Sequence, residues 1–142
     1  MAITPSREIA ARVVVHERAH IRAALATAAA TKRTIILVSG PAVGGAMGGP
    51  WFRYMVADIA ALYPQARFTT VIDCGTAAGF ALAALAGGAA AIRLHAPPLV
   101  LERVRDIARQ SGAVIDLDTN PMLDLLFHSD PVAACHAWLK AS

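Results

Sequence analysis

The 142-residue chain is predicted to fold as an α/β protein around a parallel sheet. Three observations carry that expectation. Residues 69–95, TTVIDCGTAAGFALAALAGGAAAIRLH, read as strand, helix and strand in succession. The apolar runs lack strict polar alternation, as expected of strands buried on both faces of a parallel sheet. Glycine and proline punctuate the chain between these runs, where turns are needed. The prediction is a five-stranded, mostly parallel sheet with helices on both faces, a flavodoxin-like three-layer sandwich. A half-barrel is the rival, because strand order is not written in a single sequence.

In order, residues 1–11 form a loose or partly helical lead-in, and 12–16, with three consecutive valines, the first strand. From Arg18 the pattern turns helical, with Ile21, Leu25, Ala28 and Ala29 on one face. Residues 34–38, TIILV, are the second strand. The glycine-rich loop 39–50, SGPAVGGAMGGP, precedes an amphipathic helix carrying Trp51, Phe52, Met55, Val56, Ile59 and Leu62. In the central unit the helix is placed at 76–86, spanning about 16 Å at ~1.5 Å per residue. Thr76 is its expected N-cap and Gly87 its left-handed stop. Pro97–Pro98 open the next helix, Gly112 ends it, and 113–117, AVIDL, is the fifth strand. Asn120–Pro121 and Asp130–Pro131 each suggest an N-cap followed by proline, predicting two terminal helices over MLDLLF and VAACHAWLK. Residues 1–142 are taken as one domain.

With 56% hydrophobic and 16% charged residues, the composition excludes a disordered chain. The net charge of +3 is concentrated early. Arg7, Arg12, Arg18 and Arg22 are interleaved with Glu8 and Glu17, a solvated face rather than a basic stripe, so no nucleic-acid partner is expected. Cys74 and Cys135 show no metal spacing, and the start of the chain has no signal-peptide core, which predicts a cytoplasmic protein with reduced thiols. The uncharged stretch 74–92 is long enough for a membrane span but too rich in Ala and Gly, so no membrane partner is expected. Abundant alanine and few charges predict a homo-oligomer, in the simplest case a homodimer.

In open α/β sheets ligands sit beyond the carboxyl ends of the strands. That rule collects His16 and Glu17, Ser39 and Gly40, Asp73, Cys74 and Gly75, His95, Asp116 and Asp118. The glycine loop is a candidate anion cradle through Ser39, Gly40, Gly44, Gly45, Gly48 and Gly49, with Asp73 and Gly75 beside it. It matches neither G-x-x-x-x-G-K-[ST] nor G-x-G-x-x-G, so no cofactor is implied. Cys74, just before a helix start, and His95, on the neighbouring strand end, are the candidate catalytic pair, against which stands a buried inert thiol. Asp73 with Asp116 or Asp118 would suit Mg²⁺, a minority reading beside turn-capping roles.

His16-Glu17-Arg18-Ala19-His20 matches H-E-x-x-H, in which two histidines on one helix face share a zinc. The preceding valines favour a strand ending at His16, which would separate the two imidazoles. A zinc hydrolase using His16, Glu17 and His20 is therefore kept only as an alternative, and no metal is otherwise expected.

The spacing SGPAVGG…GGPWFRYMV followed by VIDCG…GFALAALAGG resembles a group of small uncharacterised bacterial α/β proteins, over roughly residues 13–127. That resemblance implies a small single domain and no particular activity. The function expected is binding of a small anionic ligand at the carboxyl rim of the sheet. A non-catalytic homo-oligomeric assembly module is the alternative.

Overall fold

The computed structural model describes residues 10–41 and 49–142. Six strands form one sheet: β1 Ala11–Val15, β2 Ile35–Ser39, β3 Phe68–Asp73, β4 Ala91–Arg93, β5 Val114–Ile115 and β6 Leu123–Asp124. Their spatial order is β5-β4-β3-β2-β1-β6, and every pairing is parallel. Among the described residues the helices are α1 Arg18–Thr31, α2 Gly49–Ala60, α3 Ala78–Ala86, α4 Pro98–Gln110 and α5 Pro131–Ala141. A 3-10 turn covers Leu125–Phe127.

Alternate strand residues sort the layers. Val13, Val15, Ile35, Leu37, Ile72, Ile92 and Leu123 share one core with apolar residues of all five helices. The intervening Val14, Val38, Val71 and Ala91 form a separate cluster, joined by Ile36 and Met122. All five helices therefore lie on one face, which corrects the expectation of helices on both. The cause is connectivity: neighbouring parallel strands linked in chain order by crossovers of one hand put every helix on the same side. The order also differs from the 2-1-3-4-5 of flavodoxin. The run β1 to β5, with its single helical layer, has the connectivity of the half-barrel alternative, but the sheet stays open and β6 lies beyond β1.

The second face is crossed by residues 116–122, which join β5 at one edge to β6 at the other. Buried Arg12 and Arg93 project onto this face and both bind the Asp116 carboxylate, Arg93 Nη1 at 2.8 Å. Arg93 also donates to the Asp118 carbonyl at 2.9 Å, and Arg12 lies 3.4 Å from the Asp118 carboxylate. Thus four charged side chains, Arg12, Arg93, Asp116 and Asp118, together with Met122 do the work a second helical layer would otherwise do.

The sixth strand corrects the predicted helix over MLDLLF. Leu123 and Asp124 pair with Val13 and Val14, and the Asp124 side chain caps the 3-10 turn at the Leu126 N–H. Asp130 does cap α5, accepting from the Ala133 N–H. In the central unit the N-cap is Ala77 rather than Thr76, and the left-handed residue is Gly88, at φ 88°, rather than Gly87.

Candidate functional site

The lip of the sheet is continuous from β6 to β4. Ser39, at the end of β2, is fully buried, and its Oγ accepts the Asp73 backbone N–H at 2.9 Å. Asp73 in turn folds its carboxylate onto the Gly75 N–H at 2.8 Å. Gly75 adopts φ 58°, a left-handed turn that suits glycine, and its carbonyl accepts the His95 N–H at 2.7 Å. Ser39, Asp73, Gly75 and His95 are thus brought to one edge by hydrogen bonds. Gly40 and Gly49 of the glycine loop are described, whereas Gly44, Gly45 and Gly48 lie outside the described residues. Gly49 is buried, with Ile72 and Ala84 close to the place of its missing Cβ.

The strand order reverses at β1, between β2 and β6, and there the His16 ring lies against Gly40. A Cβ on Gly40 would come within 2.3 Å of His16 Nδ1, so the ring needs glycine at that place. His16 Nε2 is 2.7 Å from Asp124 Oδ1. The His16 backbone N–H donates to His20 Nδ1 at 3.1 Å, and the two rings meet edge to face at 5.8 Å. That bond requires an unprotonated His20 Nδ1. Burial lowers the His20 pKa below the ordinary imidazole value, and His16 adds to the effect while Glu17 and Asp124 oppose it.

His16 and Glu17 precede α1, so the two histidines do not stand four apart on one helix, as a zincin needs. His20 Nε2 instead lies 3.6 Å from Glu17. Among the described residues no group of three or more His, Cys, Asp or Glu is arranged to hold a metal ion. The suggested Mg²⁺ ligands are engaged elsewhere, Asp73 on Gly75 and Asp116 on two guanidinium groups. The Asn120 backbone N–H, aided by Arg12 and Arg93, holds the Asp118 carboxyl below the usual range.

Cys74 does not have the environment of a nucleophile. It is buried in the core, with Sγ 3.7 Å from the Ile72 carbonyl. Burial, with Asp73 beside it, pushes the thiol up to about 11. At pH 7 that leaves about one thiolate in ten thousand. His95 instead lines a cleft of about 340 Å³ with Arg93, Asp116 and Thr119.

Two site residues escaped the sequence reading. Asp124 sits in a segment read as helix, and nothing local marks it as the partner of His16. Arg93 did leave a signal, a lone charge inside the apolar run AAAIRL. No family model matches this chain, and no curated protein matches it. No helix of the described residues is long and apolar enough to cross a membrane.

Proposed function

We propose that this protein binds a small anionic ligand, a phosphate or carboxylate, at the carboxyl lip above β2 and β3. The observation that carries the reading is the Ser39 Oγ bond to the Asp73 N–H, which ties the start of the glycine loop to the start of the α3 loop. Helix starts add partial positive charge to this lip. α3 and α4 begin without a side-chain cap bond, and neither has an acidic residue at its cap or in its first turn. At α3 the cap is Ala77, and open space surrounds Gly79 where a Cβ would stand. The backbone N–H groups of Ala78 and Gly79 are the natural anion contacts. The two buried free cysteines, Cys74 and Cys135, accord with a cytoplasmic setting.

Titration with inorganic phosphate, followed by amide NMR, tests this reading. Saturable shifts are expected at Ser39, Gly40 and residues 75–79. Gly79→Asp places a carboxylate in the first turn of α3, where it stabilises the helix by about 0.3–1 kcal/mol but repels an anion. It is expected to lower affinity about tenfold, some 1.4 kcal/mol, without lowering Tm. Equal phosphate affinity in that variant, or shifts confined elsewhere, would reject the lip as the site.

The assembly reading draws support from a different observation. Large apolar side chains stand in solvent, among them Phe127 at 78%, Leu99 at 73% and Val114 at 60% exposure. A homodimer that covers them predicts a mass of two chains by light scattering at micromolar concentration, and a one-chain mass removes that reading.

A further inference from the structure

A cleft lies on the helical face, floored by the first half of β3. β4 pairs with β3 only through Ile72 and Asp73, so the first four residues of β3 have no strand on that side. Because β4 starts so high, α3 needs only nine residues to reach it, against twelve in α2. Beyond the early end of α3, a cleft of about 410 Å³ lies between α2 and Gly87, floored by Phe68 and Thr70 and walled by Arg53 and Tyr54. That volume lies within the ~300–1,000 Å³ range of small-molecule sites.

Thr70 marks the floor as unusual. It is in register with Leu37, on the face whose other central positions are Ile35, Ile72 and Ile92. A hydroxyl stands there, half-buried, between Phe68 and Ile72 on the same face of β3. Arg53 closes one end. Its Nη1 donates to the Gly87 carbonyl at 2.5 Å, and a Cβ on Gly88 would stand 2.7 Å from the same nitrogen. The other guanidinium donors have no protein acceptor among the described residues. Among the described residues no acidic one lines the cleft.

We propose that this cleft binds a small apolar carboxylate, its acid group on the open edge of the Arg53 guanidinium and its hydrocarbon body against Phe68 and Tyr54. A planar fork with donors to spare matches a carboxylate better than a neutral head group. The Thr70 hydroxyl supplies a further donor at the floor. Pro50, at the end of the glycine-rich loop, lines this cleft, whereas Ser39, Asp73 and residues 75–79 do not, so either site can fail without the other.

Benzoate is the probe, with benzyl alcohol as its uncharged counterpart. Amide NMR of the full chain is expected to show saturable benzoate shifts at Arg53, Tyr54, Thr70 and Gly87. Benzyl alcohol is expected to bind at least about tenfold more weakly, and Arg53→Met to lose at least about tenfold in benzoate affinity. Arg53→Lys, which keeps the charge and loses the fork, is expected to fall between parent and Arg53→Met, and it replaces the latter if that variant does not fold. Thr70→Phe fills the floor and is expected to abolish the shifts. No saturable shift at the cleft up to about 10 mM benzoate overturns the proposal. So does parental affinity in the folded Arg53 variant, or benzoate shifts confined to residues 75–79.

Discussion

Asp116 joins two buried guanidinium groups from strands three places apart, Arg12 on β1 and Arg93 on β4. Neither arginine can leave that face without breaking its strand, so the carboxylate is what makes their burial tolerable. Removing one partner of a buried ion pair typically costs about 3–5 kcal/mol, because the remaining charge stays out of water. Asp116→Asn is expected to destabilise by about that amount, read from urea denaturation midpoints, and Arg93→Met is expected to restore part of the loss. A double variant no more stable than Asp116→Asn would show that the charge is not what was lost.

His20 is expected to contribute to the acid side of the stability curve. Its pKa is lowered in the folded protein, chiefly by burial, so the unfolded chain takes up a proton first as pH falls. Stability is therefore full above the unfolded value, near 6.5, and declines as pH drops from there toward the folded value. Tm is expected to fall between pH 7 and 5, and the slope over that interval is expected to shrink in His20→Gln. An unchanged slope would assign the acid sensitivity to other groups.

At the scale of elements, the close fit of the loop after β2 to the loop after β1 is the feature to test. Gly40→Ala sets a methyl group where the His16 imidazole now lies. The ring is expected to swing off Asp124, costing about 1–3 kcal/mol by overpacking and by loss of that bond. The check is thermal denaturation together with the His16 ring signals. A parental Tm with unmoved His16 signals would mean that the loop yields instead.

The elements differ in how far they could be read beforehand. β1, β2, β3 and α4 were legible because their apolar runs and proline or glycine boundaries are local properties. β6 was not, because a two-residue strand is decided by its partner: Leu123 and Asp124 carry no strand signature until Val13 and Val14 stand beside them. For the same reason Ser39 and Asp73 could be placed on one lip, whereas the His16–Asp124 and Arg12–Asp116 pairs could not. They join residues more than a hundred positions apart. The assignment of helices to one face also waits on strand order, which no periodicity reveals.

For the whole molecule, protection should follow position in the sheet. β2 and β1 each have a strand on both sides, whereas β5 and β6 are edges held by two residue pairs each. Native-state hydrogen exchange is expected to be slowest at Val13, Val15, Leu37 and Val38 and faster by orders of magnitude at Val114 and Leu123. Uniform protection across all six strands would show that the sheet opens only as one unit.

The place of β6 beside β1 also has a consequence for synthesis in the cell. The valine run that ends at Val15 is translated about a hundred residues before the neighbour that covers its outer side, which starts at Leu123. At ~5–20 residues per second, the nascent chain carries that sticky flank uncovered for roughly 5 to 20 seconds. A chain cut short before residue 123 never covers it. Such fragments are expected to aggregate more readily than the full chain in a refolding assay.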